Sequence, residues 1–136
     1  MAETLKLEIV TAEGSAYSDD VEMVTLPGVD GQFGVYPQHA HLMTQMEPGE
    51  IIVRKDGHDF FLAVGEGFVE ITGERVAIMT DMALRAESID EAKADEARKR
   101  AEARLAEQLD DEEGALVSAA LAHSLAQLKV KRRQRH

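Results

Sequence analysis

The sequence predicts an α+β chain, with a sandwich or barrel of antiparallel strands over residues 1–84 and an antiparallel α-helix pair over residues 88–136. Three observations carry that prediction. All three prolines, all six aromatic residues and nine of the ten glycines lie at or before Gly73. Within that stretch, short runs rich in Val, Ile and Phe alternate with turn signals every ~8–12 residues, the rhythm of an all-β module. After Leu84 the chain turns to Ala, Glu, Lys, Arg and Leu, with apolar residues at helical spacing.

The expected strands are residues 5–10, 21–26, 51–54, 60–64, 68–71 and 76–79. Pro27-Gly28, Pro48-Gly49, Asp56-Gly57, Gly65-Glu66-Gly67 and Gly73 punctuate them. Leu5, Leu7 and Ile9 alternate with Lys6 and Glu8, as a half-buried strand requires. Residues 60–64 have no polar face, so apolar neighbours are expected on both sides, from a second sheet and from the helices or a partner. In the second module, Ser88-Ile89-Asp90-Glu91 matches a capping box, in which the Ser hydroxyl takes an orphan backbone N–H. Ala94, Ala97, Ala101 and Leu105 form a first apolar stripe. Asp110 to Gly114 reads as the break, and Val117, Leu121, Leu125 and Leu128 form a second stripe ahead of a basic end. A buried Leu contributes about 1.5–3 kcal/mol and an Ala a fraction of that. An Ala-rich hairpin is therefore marginal alone and able to detach.

The 136 residues suit one compact domain or a small domain with an appendage. The absence of Cys excludes disulfide scaffolds, thiolate metal sites and cysteine nucleophiles. The longest apolar run, residues 60–64, falls far short of the ~20 residues of a membrane span. The N-terminal Met-Ala-Glu-Thr-Leu-Lys lacks the pattern of a secretory signal, so a soluble protein of the cell interior is expected. Net charge is −11, all of it in residues 1–84, which hold 15 acidic and 4 basic side chains. That charge repels a duplex, and no aromatic residue follows Phe68 to stack a base, so nucleic acid is not an expected partner.

Catalytic signals are sparse. Gly28, Gly31 and Gly34 lead into Val35-Tyr36-Pro37, which does not open the helix a phosphate loop needs. His39 and His41, two apart, would share one face of a strand and suggest a metal. A small cupin-like, metal-dependent β-sandwich enzyme using them is the alternative reading. The cupin spacing fails, however: Phe33 stands where Gly is needed, and Gln45 and Met46 where Glu is. Glu47 lies one residue too far, which in a strand turns it to the opposite face. No nucleophile elbow or Lys-bearing phosphate loop occurs, and no catalytic residue or metal is expected. A free-standing interaction module with a basic helical arm is a further reading.

The densest set of residues runs Leu26-Pro27-Gly28, Gly31, Gly34-Val35, Pro37, His39-Ala40 and Leu42. Pro48-Gly49, Ala63-Val64, Gly67-Phe68-Val69-Glu70, Asp81-Met82-Ala83 and Ile89-Asp90 continue it. In this order they resemble the epsilon subunit of bacterial F-type ATP synthases over nearly the whole chain. The pattern departs at His41, where the family usually has Pro. The resemblance implies two five-stranded sheets followed by two α-helices. It implies a non-catalytic rotor subunit of the central stalk, coupling ion-driven c-ring rotation to ATP synthesis. Implied partners are the gamma subunit and the c ring for the sandwich, and the alpha and beta subunits for the hairpin. The implied location is peripheral, at the cytoplasmic face of the bacterial plasma membrane.

The same resemblance assigns residues. The loop from Gly28 to Leu42 faces the c ring, with Gly31, Gln32 and His39 as contacts; many relatives have Glu where Gln32 stands. The resemblance implies a hairpin that regulates ATP hydrolysis, lying folded on the sandwich or extending into the catalytic head. When extended it brings Lys129, Lys131, Arg132, Arg133 and Arg135 to acidic surface on beta. Some relatives bind ATP through Asp-x-x-Arg-Ala. Here Asp90 and Lys93 take the matching positions, and Lys lacks the bidentate fork of Arg. His123 and Gln127 stand where those relatives have arginines, so a weak regulatory ATP is the only cofactor implied.

Overall fold

The computed structural model describes residues 3–38 and 40–134. Ten strands precede two helices. The strands are β1 (Leu5–Thr11), β2 (Gly14–Val21), β3 (Met23–Gly28), β4 (Gly31–Val35), β5 (Leu42–Met46), β6 (Gly49–Lys55), β7 (His58–Val64), β8 (Gly67–Thr72), β9 (Arg75–Thr80) and β10 (Ala83–Arg85). The helices are α1 (Glu91–Leu105) and α2 (Asp111–Gln134).

Local chemistry sets the hairpins. Asp56 and Gly57 join β6 to β7 with φ of 53° and 76°. Two successive left-handed residues make the turn that matches the twist of paired strands. Hydrogen bonding follows the order β10-β7-β6-β3-β5-β8-β9-β1-β2, with β4 on the other side of β3. β3 and β5 meet only where Gly28 pairs with Met46. The path folds there into two five-stranded layers, β4-β3-β6-β7-β10 and β5-β8-β9-β1-β2. Their inner faces share one core, in which Leu7, Ile9, Val24, Leu26, Ile51, Val53 and Ile78 are fully buried.

Three sequence expectations change. Pairing is antiparallel except between β1 and β9, which run parallel with Leu7 opposite Val76 and Ile9 opposite Ile78. Nearly the whole module separates those strands, so no tight turn dictates their direction. The expected strand over residues 21–26 is two strands meeting at Glu22. β2, β4, β5 and β10 also escape the sequence reading: β2 is rich in Ser and Asp and buries only Tyr17 and Val21, while β4 holds two glycines.

The helix boundaries shift too. Ser88 closes a 3₁₀ turn over Ala86–Ser88, and Asp90 caps α1, its Oδ1 accepting from the Lys93 N–H at 3.1 Å. Ile89 is extended, with ψ of 126°, and buried beneath the hairpin, so the helix cannot begin at Ser88. α2 begins earlier than expected: the Asp110 carboxylate accepts from the Glu113 N–H at 2.7 Å, and Gly114 lies inside the first turn. A cap followed by three acidic residues outweighs one Gly, which costs about 1 kcal/mol in a helix.

The helices cover one outer face of the sandwich. Ala63, Ala86, Ile89, Ala126 and Val130 form a second buried cluster, with Phe61, Met82 and Leu84 at its border. β7 therefore has apolar neighbours on both faces, Leu62 and Val64 toward the sandwich core and Ala63 toward α2. The second stripe is corrected: Leu128 is buried but Leu125 is exposed, while Ser124, Ala126 and Val130 are buried. α2 packs on both α1 and the sandwich, so it buries two faces rather than one.

Candidate functional site

Hairpin and sandwich meet through charged contacts around the second cluster. Glu50 projects from β6, next to Ala63 on β7, and is only 1% exposed. Arg133 Nη1 stands 3.2 Å from its Oε1, and the guanidinium also lies over the Phe61 ring at 5.2 Å. Burial pushes the Glu50 carboxyl above its ordinary range, against the opposing pull of Arg133 and Lys129. Lys131 Nζ donates to the Ala86 carbonyl at 3.1 Å, and Arg132 pairs with Glu91 at 3.2 Å. His123 Nε2 lies 3.1 Å from Asp81 Oδ1. Gly65 makes that contact feasible, because a Cβ there would sit 1.9 Å from Asp81 Oδ1 and 2.7 Å from His123 Nε2.

The basic end expected to meet a partner is thus largely engaged within the chain. Lys131, Arg132 and Arg133 tie α2 to the 3₁₀ turn, to α1 and to β6. Lys129 is exposed. Arg135 lies outside the described residues.

The outer face of the second layer is unlike a solvated sheet. Val10 of β1 pairs with Met79 of β9, and Met79 pairs with Phe68 of β8. This row is apolar and open, with Met79 60% and Phe68 51% exposed; on β5 it ends at Gln45, opposite Phe68, and exposed Met43 stands one pair along on that face, opposite Glu70. Glu8 and Arg75, paired at 2.8 Å, flank it. Scattered apolar residues are ordinary on a surface, and a contiguous row across neighbouring strands is a candidate interaction site. The sequence reading missed it. The available signal was that Phe68 and Met79 hold the outward phase of strands whose inward phase is already apolar.

The expected contact loop is divided by the fold. Gly31 and Gln32 stand at the tip of the β3–β4 hairpin, where Gly28 pairs with Gly31 and Pro27 with Gln32. Val29 at that tip is 49% exposed. His39 lies outside the described residues. Its neighbour Gln38, with φ of 67°, donates its N–H to the Gly73 carbonyl at 2.9 Å. Ala40 and His41 belong to no strand, so His41 lacks the alternating backbone that an i, i+2 metal pair requires. Among the described residues, no group of three His, Cys, Asp or Glu could hold a metal.

Asp90 and Lys93 meet through backbone rather than as a side-chain pair, since the Asp90 carboxylate caps the Lys93 N–H. The adjoining groove is lined by Asp90, Glu91, Ala92, Asp95 and Arg132. Three carboxylates face one guanidinium there, and Glu91 already pairs with it.

Two family models divide the whole fold between them. The ATP synthase, Delta/Epsilon chain, beta-sandwich domain matches residues 4–86, and the long alpha-helix domain of the same chain matches residues 87–132. The chain belongs to the ATP synthase delta/epsilon family. Among delta/epsilon relatives, the ATP synthase epsilon chain of Dehalococcoides mccartyi is 41% identical over 132 residues, covering 96% of this chain and 94% of the relative. That of Halorhodospira halophila is 40% identical over 128 residues, covering 93% and 91%. A chain in the cryo-EM structure of the Euglena gracilis mitochondrial ATP synthase (OSCP, F1 and c-ring) shares the fold. Its TM-score is 0.76 at 21% identity, covering 98% of this chain and 82% of that one. Both modules of the chain, the sandwich and the hairpin, thus fall within the delta/epsilon family.

Proposed function

We propose that this chain is the epsilon subunit of a bacterial F-type ATP synthase, a non-catalytic stalk component that couples c-ring rotation to ATP synthesis and restrains ATP hydrolysis through its hairpin. The observation that carries this reading is the open apolar row of Val10, Met79 and Phe68 on a well-packed sandwich. Such a row suits a permanent protein partner, and the gamma subunit takes it. The β3–β4 tip, with Gly31 and Gln32, meets the c ring, and His39, between β4 and β5 in the chain, is the further contact that the resemblance implies. Gln32 makes that contact a neutral, hydrogen-bonded one.

The hairpin serves as the movable part. Its seat is a small Ala-rich cluster with a few charged ties, from Lys131 to Ala86, Arg133 to Glu50 and His123 to Asp81. Lifting frees Lys131 and Arg133 from these ties, and the basic end of Lys129, Lys131, Arg132, Arg133 and Arg135 then meets acidic surface on the beta subunits. The acid-lined groove beside Asp90 and Lys93 disfavours a triphosphate, so any regulatory ATP binds weakly. Among the described residues, no helix is long and apolar enough to cross a membrane. The complex holds the chain peripherally at the cytoplasmic face.

ATP hydrolysis by a catalytic head stripped of this subunit tests the proposal. Titration with the full chain should suppress hydrolysis, whereas residues 1–87 should bind without suppressing it. Joint replacement of Phe68→Glu and Met79→Glu should abolish binding and leave the melting of the isolated chain unchanged. If neither the full chain nor residues 1–87 binds the head, the proposal fails.

A further inference from the structure

Seating the hairpin buries a carboxylate that no proposed partner contact uses. Glu50 lies on the outer face of β6 beneath the last turns of α2, and neither of its oxygens receives a hydrogen bond among the described residues. Its ion-pair partner, Arg133, remains about half exposed, so the pair is lopsided: one charge is dry and the other is wet. A carboxylate that has lost its water without full compensation is costly in the ionised form. The cations facing Glu50 belong to α2, so lifting that helix removes them and returns Glu50 to water on an open sheet surface.

We infer that seating of the hairpin on the sandwich is coupled to proton uptake at Glu50, so that acid holds the hairpin down and alkali lets it lift. The coupling is a property of the isolated chain and holds whichever partners it has. Burial raises the seated carboxyl, while the lifted one titrates in water as an ordinary Glu. Over the interval between those two values, the seated state keeps a proton that the lifted state has lost. The seated form is favoured below that interval and loses its advantage as pH rises through it.

The charges around Glu50 act in defined ways. Arg133 and Lys129 of α2 favour its ionised form and limit the interval. Arg54, farther along β6, is committed to Asp59 at 2.9 Å. Phe61 and Ala63 of β7 and Ala126 and Val130 of α2 bring no charge. Another titratable contact across the seat, His123 with Asp81, lies ten residues earlier on α2 than Arg133, about 15 Å along the helix axis.

The absence of Cys offers a direct readout. Ala126→Cys in the full chain places a single thiol in the buried seat, where it reacts only when the hairpin lifts. Its labelling rate, divided by that of an exposed Ser118→Cys control, reports the lifted fraction between about pH 5 and about pH 8. The ratio should rise with pH by up to tenfold per unit, the limit for one proton released. Glu50→Gln should flatten the rise. Arg133→Gln should move it to higher pH, and Asp81→Asn should leave it in place. A flat wild-type ratio overturns the inference, as does a rise that survives Glu50→Gln or vanishes in Asp81→Asn. If circular dichroism shows that Glu50→Gln does not fold, Arg133→Gln decides, and an unmoved midpoint overturns the inference.

Discussion

Tyr17 carries its hydroxyl into the sandwich with no hydrogen-bond partner among the described residues. Its ring is tilted 46° against Phe60 at a centroid distance of 5.8 Å, and the Arg85 guanidinium lies 5.2 Å from it. Burial pushes the phenol above its ordinary range, and nearby Asp19 adds to the shift. An unsatisfied buried hydroxyl costs about 1–3 kcal/mol. Tyr17→Phe should therefore raise the unfolding free energy by about 1 kcal/mol, read from a urea titration. Ile78 is the opposite case, fully buried beside Ile9. Ile78→Ala should cost about 2–5 kcal/mol in the same titration. At this scale the sequence was legible wherever a strand alternates: Leu5, Leu7 and Ile9 all face the core. Glu50 was not legible, because its burial depends on a helix at the far end of the chain.

The elements were readable where their signals were strong and blurred where a neighbour decided the outcome. β6, β7, β8 and β9 follow from β-branched or aromatic runs between glycine turns, and each extends the expected run by a residue or two at its ends. β2 is a strand because β1 offers it a long antiparallel partner, from Leu5 opposite Val21 to Thr11 opposite Gly14, with a register shift at Ala16. The cap of α1 moved from Ser88 to Asp90 because Ile89 is pulled into the second cluster. Asp90→Ala should cost α1 about 1 kcal/mol. Faster amide exchange in its first turn, with β9 unchanged, is the expected signature. Along α1, Arg98 spans Asp95 and Glu102 at 2.8 and 3.0 Å. Such surface pairs contribute only a few tenths of a kcal/mol, so helix stability rests more on docking. The contact loop was legible as a glycine-marked segment, but its division between the β3–β4 tip and the Gly73 turn depends on sheet order.

At the scale of the molecule, the large core draws its buried residues from β1 to β9, with Ala83 of β10 packed against it, and none of the described residues in it comes from either helix. Residues 1–87 should therefore unfold cooperatively on their own, with an m-value reduced in line with the smaller surface exposed; a gradual, non-cooperative transition in denaturant would count against an independent sandwich. The two-module plan was legible from composition alone, because every proline and aromatic residue, and every glycine but Gly114, lies ahead of the helices. The docking of the second module was not, since it depends on Ala63, Ala126 and Val130 meeting across the chain. The parallel pair of β1 with β9 also governs the order in which the protein comes into being. β1 is made first, yet one of its two neighbours in the sheet arrives roughly 70 residues later. At the ~5–20 residues per second of synthesis, Leu5, Leu7 and Ile9 wait about 3–14 s for that neighbour. During this interval β1 and β2 form at most a lone hairpin, which is marginally stable in water. Closure of so long a loop should make the sandwich fold on the slower, millisecond-to-second side of small domains. The nascent chain is therefore most exposed to aggregation before β9 emerges, and the helices, made last, cover a surface already complete.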